Sequence, residues 1–256
     1  MKICVCFKIV PDLDQVLVSD WDRIGQGLDS SYVKKGYNCF DEAALEAALR
    51  IKDDCAQKNE TVCCTALTVG SSYDSIMKNL YAIGFEQVVN IPCENSEFCP
   101  EKIAAAMGAY IKTKGFDLVL TGKQCGMGDS GMVPALVCEY LGYPLVSEVT
   151  CVRREHEAWC FDFETSSGLE TMTITGSAVA AMGNAEYAYL RMPTLRKKMA
   201  AAQCEIEKWK MKEEKKTDLP KLSKAVQVKT CQFITGETDC EKGFVFYNEV
   251  IKGAGQ

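Results

Sequence analysis

Four strand–helix pairs in succession, with strands apolar along their whole length, constrain this chain more than any other feature. Residues 2–9 read as a strand rich in β-branched positions and closed by Pro11-Asp12. Residues 40–52 give the clearest helix: Ala43, Ala44, Ala47, Ala48 and Ile51 recur at helical spacing, with acidic residues early and basic residues late. A strand over 61–69 precedes a helix over 72–83 stopped by Gly84. A short strand, Gln87–Ile91, precedes a helix over 100–114 that opens on Pro100 and ends at Gly115. A strand over 116–121 precedes a helix over 131–141 with Gly142 at its stop. Strands apolar on both faces belong in a parallel sheet covered on both sides, with right-handed connections. The expected fold is therefore α/β: a doubly wound, mostly parallel sheet with helices on both faces.

A small antiparallel extension is expected next, from strands over 146–152, 159–163 and 169–175, the last two joined by a turn at Ser166-Ser167-Gly168. Residues 178–182 read as a return to the main sheet, and Ala200 to Ala202 as a short helical stretch. Residues 205–214 alternate apolar with charged positions, and 212–216 are charged and read as solvated. Periodicity is weak beyond that point. The division expected is an α/β domain over 1–212 and a tail over 213–256 that packs on something else.

At 256 residues, 47% hydrophobic and 25% charged, the composition is globular and excludes a disordered, collagenous or coiled-coil chain. A net charge of −6 is a poor basis for binding nucleic acid or anionic membranes. No run approaches the roughly 18 apolar residues of a membrane span. Fifteen cysteines, an odd number, with no export pattern at the start and no Cys-x-x-Cys spacing, point to reduced thiols and a cytoplasmic setting. Cys4, Cys6, Cys63 and Cys64 read as small buried hydrophobes. A single histidine, His156, excludes a histidine metal cluster and gives no base for a triad; no metal site and no catalytic residue is expected.

Ligands of open α/β sheets bind outside the carboxyl ends of the strands. Three loops qualify: Cys6-Phe7-Lys8 with Pro11-Asp12; Val69-Gly70-Ser71-Ser72; and the run from Thr121 to Gly131, which opens a helix. Gly122, Gly126, Gly128 and Gly131 permit close backbone approach, and the helix start offers unpaired N–H groups to a phosphate. The Gly-Lys-Ser/Thr ending of a Walker loop is absent. Glycine spacing leaves a plain connecting loop and a nucleotide cradle equally open. Asp12 and Asp129 suit a ribose or phosphate-bound water as well as a solvated turn, and Lys8 suits either an anion or the surface.

Over about residues 1 to 215 the chain resembles the β subunit of electron-transfer flavoproteins. The matching motifs are Val5-Cys6-Phe7-Lys8-Ile9-Val10-Pro11-Asp12, Asn38-Cys39-Phe40-Asp41-Glu42-Ala43-Ala44, Leu80-Tyr81-Ala82-Ile83-Gly84, and Asp117-Leu118-Val119-Leu120-Thr121-Gly122-Lys123-Gln124. The resemblance implies a heterodimer with an α subunit that carries FAD, and electron transfer between flavin and a partner dehydrogenase or reductase, with the chemistry supplied by the cofactor. It implies a nucleotide against Cys6, against Asn38, Cys39, Phe40 and Asp41, and against Val69; the strand-end loops add Phe7, Lys8, Pro11, Asp12 and Gly70 as candidates. The rest of that implied site is Gly122, Lys123, Gln124, Cys125 and Gly126, then Met127, Gly128, Asp129, Ser130, Gly131, Met132 and Val133, with Thr121 added as the start of the same loop.

In simple carriers of this family the nucleotide is AMP; in the electron-bifurcating branch it is a second FAD reduced by NADH. The Lys8-x-x-Pro11-Asp12 start looks more like the bifurcating branch, which favours FAD here and makes an NADH-dependent oxidoreductase of the complex. The sequence departs from the family at Gln124-Cys125-Gly126-Met127, Gly131-Met132, Cys39 and Gly70-Ser71, losing side-chain donors and an acid. The segment Tyr189-Leu190-Arg191-Met192-Pro193-Thr194-Leu195 resembles the loop that anchors partner dehydrogenases, with Met192 at the anchor position between Leu190 and Pro193-Leu195. Leu190, Met192 and Leu195 read equally as side chains packed on the protein's own core. The tail resembles an arm that wraps the α subunit. A non-redox adenine-nucleotide module of the universal-stress or ATP-pyrophosphatase type shares the same sheet, but the stress-type Gly-x-x-Gly followed by nine residues and Gly-Ser/Thr is not found after Leu120.

Overall fold

The computed structural model describes residues 1–17, 32–94, 96, 98–126, 128, 130–211, 231 and 233–252. Gly25, Gly27, the charged stretch 212–216, Met127 and Asp129 lie outside the described residues.

Strand β1 (Lys2–Cys6) ends three residues earlier than its apolar run suggests. The cause is a side chain: the Lys8 N–H donates to Asp41 Oδ2 (2.8 Å) instead of entering the ladder. The chain then forms β2 (Ile9–Pro11), antiparallel to β3 (Lys35–Tyr37) in a two-stranded sheet. Helix α1 (Cys39–Gln57) leads to β4 (Cys63–Val69), α2 (Asp74–Ile83), β5 (Gln87–Ile91), α3 (Pro100–Lys114), β6 (Leu118–Gly122) and α4 (Val133–Leu141). Gly84, Gly115 and Gly142 stand at the carboxyl ends of α2, α3 and α4, with positive φ. Three long strands follow, β7 (Leu145–Glu155), β8 (Ala158–Thr165) and β9 (Gly168–Thr175), then β10 (Ala178–Met182). Helix α5 (Leu195–Ala201) and the two-residue β11 (Glu207–Lys208) end the α/β body; among the described residues of the alternating 205–214 run, Glu207 and Lys208 pair in the sheet.

The strand order is β11-β5-β4-β1-β6-β10-β7-β8-β9. Pairing is parallel from β11 through β7 and antiparallel for β7-β8 and β8-β9. The chain runs from β1 outward to β4 and β5, then resumes on the other side of β1 with β6. The switch point therefore lies at the carboxyl ends of β1 and β6. Two apolar layers sandwich the sheet. Ile3, Val5, Ala66, Leu118 and Leu120 pack with α1 and α2 through Leu45, Leu49, Met77 and Leu80. Cys4, Cys6, Leu67, Val119 and Val179 pack with α3 and α4 through Met107, Tyr110, Ile111 and Val137. Fully burying one such large side chain contributes about 1.5–3 kcal/mol, so these layers rather than any disulfide carry the fold; the cysteines of the described residues are free.

His156 falls in an exposed turn with φ 52°. Of the tail, one helix is described: α6 (Asp239–Phe246), running into a π-helical turn, Tyr247–Ile251. A capping box starts it, with Thr238 accepting from the Glu241 N–H and Glu241 accepting from the Thr238 N–H. Phe244, Phe246 and Tyr247 on it are exposed. Among the described residues no helix is long and apolar enough to cross a membrane.

Candidate functional site

The carboxyl ends of β1, β4, β5 and β6 open into a cavity of about 810 Å³. Cys6, Phe7 and Lys8 line it from β1, and Val69 with Gly70 from β4. From β6 onward it is lined by Thr121, Gly122, Lys123, Gln124 and Cys125, then Gly128, Ser130, Gly131 and Val133. Asp41 reaches it from the first turn of α1. Pro11, Asp12, Asn38, Cys39, Phe40, Gly126 and Met132 do not line it, and Met127 and Asp129 lie outside the described residues. Pro11 is buried in the β2–β3 pair, and Asp12 closes the turn that follows, accepting from the Asp14 N–H (3.3 Å) and Gln15 Nε2 (2.6 Å).

Several lining residues had no signal in the sequence. Asn90 is the last residue but one of β5, Ser96 lies beyond that strand, and Ile103 and Met107 face in from α3. Asn90 Nδ2 donates to the Gly70 carbonyl (3.1 Å), and the Gly70 N–H to that of Ile91 (2.9 Å), so the ends of β4 and β5 are tied together. Apolar walls with a few placed polar groups are the usual make-up of a small-molecule site.

Asp41 ties the other side. Its Oδ2 accepts from the Lys8 N–H, and its Oδ1 accepts from the Gly122 N–H at 2.9 Å. One carboxyl thus joins the end of β1 to the end of β6. Burial pushes it up to about 7, against the bonds from Lys8, Asn38 and Gly122 that favour the ionised form. Gly122 has no room for a side chain: a Cβ would overlap Asp41 Oδ1 and lie 2.8 Å from Phe40 Cβ. Asn38, at the cap position of α1, uses its amide on the Gln124 carbonyl (2.8 Å). Asn38 and Phe40 therefore support the loop from behind the cavity wall.

Lys123 is held by three contacts. Its N–H donates to the Met182 carbonyl (3.0 Å), its ammonium pairs with Glu148 Oε2 (2.8 Å), and that ammonium lies 5.0 Å from the centre of the Phe40 ring. Glu148 takes a left-handed φ of 55°, unusual for a residue with a side chain. The loop after Lys123 reaches α4 through Gly128 and Gly131, with φ of 66° and 63°. The Met132 N–H donates to Ser130 Oγ (3.3 Å). The first turn of α4 presents backbone N–H groups and the positive end of a helix dipole to the cavity. This arrangement suits a phosphorylated ligand. Among the described residues no group of three or more His, Cys, Asp or Glu side chains could hold a metal ion.

The segment 189–195 lies at a second place on the surface. Leu190 packs against the core, whereas Tyr189, Met192 and Leu195 are exposed at 85%, 83% and 74%. Arg191 fixes the segment to α1, with Nη2 2.9 Å from Glu46 Oε1, Nη1 2.7 Å from Asp53 Oδ2, and its own N–H donating to Glu46 Oε2 (3.1 Å). The two readings of these apolar side chains divide by residue: Leu190 belongs to the core, and Met192 and Leu195 to the surface.

Two comparisons bear on this geometry. The chain is 27% identical to an Escherichia coli (strain K12) protein named "Putative electron transfer flavoprotein subunit YgcR", over 98% of each chain. The Electron transfer flavoprotein domain matches residues 28–214, which take in α1, the loop at the end of β6 and the 189–195 segment. The chain belongs to the electron transfer flavoprotein family.

Proposed function

We propose that this chain is the β-type subunit of a heterodimeric electron-transfer flavoprotein, and that it holds an adenine nucleotide, FAD in preference to AMP, in the cavity at the ends of β1 and β6. The observation that carries the reading is the meeting, at the switch point, of two left-handed glycines, Gly128 and Gly131, with the start of α4. Such a cradle lets backbone approach a phosphate and supplies N–H donors to it. The volume of about 810 Å³ lies toward the upper end of the roughly 300–1,000 Å³ typical of small-molecule sites, which supports the larger nucleotide.

FAD bound there supplies hydride and single-electron chemistry. The chain's own residues bind and orient. Asp41 and Asn38 keep the β1 and β6 loops in register, and Ile103, Met107 and Val133 give an apolar wall. The exposed apolar side chains of Tyr189, Met192 and Leu195, on a segment held by Arg191, support docking of a partner dehydrogenase or reductase. The tail over 213–256, with exposed aromatic residues on α6, is assigned to the α subunit.

The test is to denature the purified heterodimer, count released flavin and AMP, and titrate the native complex anaerobically with NADH. Two FAD per heterodimer, with one bleached by NADH, is the expected result. One FAD plus AMP with no bleaching would place the chain among simple carriers. No adenine nucleotide on this chain would overturn the reading.

A further inference from the structure

We propose that Thr121 is a phosphate-contacting residue of the cavity, its hydroxyl donating to a phosphoryl oxygen of the bound nucleotide. This rests on the nucleotide reading given above. Thr121 is 4% exposed, and its Oγ1 has no hydrogen-bond partner among the described residues. Buried hydroxyls in folded proteins are nearly always paired, so an unpaired one on a cavity wall marks where a ligand atom or an ordered water belongs.

The surroundings select the kind of ligand atom. Thr121 stands two residues beyond Val119 and therefore on the same face of the sheet. Val119 packs into the layer formed by α3 and α4. The hydroxyl is thus on the side of the sheet where α4 begins and where Val133 and Pro134 line the cavity. That end of a helix favours negative charge, and Gly128 and Gly131 keep the approach free of side chains. Other donors at the end of β6 are engaged within the protein: the Gly122 N–H by Asp41, the Lys123 N–H by Met182 and the Lys123 ammonium by Glu148. The Thr121 hydroxyl remains, and a phosphoryl oxygen is the acceptor that this corner favours.

The experiment titrates the full chain, freed of bound nucleotide, with AMP, FAD and adenosine by calorimetry. Thr121→Val keeps the shape and removes the hydroxyl. It should raise the Kd for AMP and FAD by about tenfold and leave adenosine, which has no phosphate, within about twofold. Thr121→Ser keeps the hydroxyl and should bind AMP within about threefold of the parent. Thr121→Ala, which needs less space, gives the same reading should the valine variant fail to fold. Unchanged AMP and FAD binding in the valine and alanine variants would overturn the proposal and leave the nucleotide site standing. Equal weakening of adenosine and AMP would also overturn it, since the hydroxyl would then face the nucleoside. A parent chain that binds neither AMP nor FAD would remove the nucleotide reading and this proposal together.

Discussion

Helix α1 carries two buried carboxylates, Asp41 and Glu46, and each holds a different region in place. Asp41 holds the loops of the cavity through neutral backbone N–H donors. Glu46 holds the 189–195 segment through charge, with Arg191 at 2.9 Å and Arg50 at 3.1 Å. The acceptors are alike and the partners are not. A carboxylate bonded by dipoles, with a cation near but not bound to it, stays expensive to ionise when buried, whereas one that meets guanidinium groups is matched but leaves a costly orphan when a partner is lost. The cavity should therefore respond to protons, and the surface segment to removal of its cation.

The largest effect is expected at the charged region. Arg191→Ala leaves Glu46 buried with Arg50 alone and should destabilise the chain by about 2–3 kcal/mol in chemical denaturation, somewhat below the usual cost of breaking a buried pair because Arg191 is one third exposed. Its bound nucleotide should be retained. Loss of nucleotide with unchanged stability would collapse the distinction between the regions. Next comes Gly122→Ala, whose Cβ would displace Asp41 and break both backbone bonds. A loss of about 2 kcal/mol is expected, with nucleotide stoichiometry falling sharply. Full occupancy in that variant would mean that the β6 end is not the cradle.

The smallest effect is one of pH. The folded-state value of Asp41, about 7, lies above the ordinary carboxylate value near 4, so the folded chain binds this proton more tightly than the unfolded chain. Its contribution is complete below about pH 4, declines as the pH rises through 7, and is flat above. Melting temperatures from pH 4.5 to 7.5 should show parent and Asp41→Asn curves separating with that slope. Parallel curves would mean that the backbone donors outweigh burial and that Asp41 holds the cavity loops in its ionised form.

Legibility in the sequence follows the range of the interaction. The parallel strands and α1 to α4 were readable because their signals are local: apolar runs, alanines at helical spacing, and Gly84, Gly115 and Gly142 at helix ends. The loop at the end of β6 was readable by its glycines. Arg191 and Glu46 meet across 145 positions, and Asp41 and Gly122 across 81, which no local pattern announces. The early end of β1 is the same case, since a distant carboxylate took the N–H of Lys8 from the ladder. Asn90, Ser96 and Met107 reach the cavity only once β5 and α3 are packed. Helix α6 is different: its Thr238–Glu241 box was in plain view, but the weak apolar period around it hid the element.

Strand β7 belongs to two kinds of pairing, parallel with β10 along its first half and antiparallel with β8 along its second. Between these stretches the register of both ladders slips, near Ala180–Met182 and Val149–Cys151. The β8–β9 hairpin hangs from the far half alone. Its outer strand is exposed nearly throughout, while β10 is buried in every residue. The surface chemistry of β9 can therefore change without disturbing the strands that frame the cavity, whereas Trp159 and Phe161 tie β8 to the core layer of those strands.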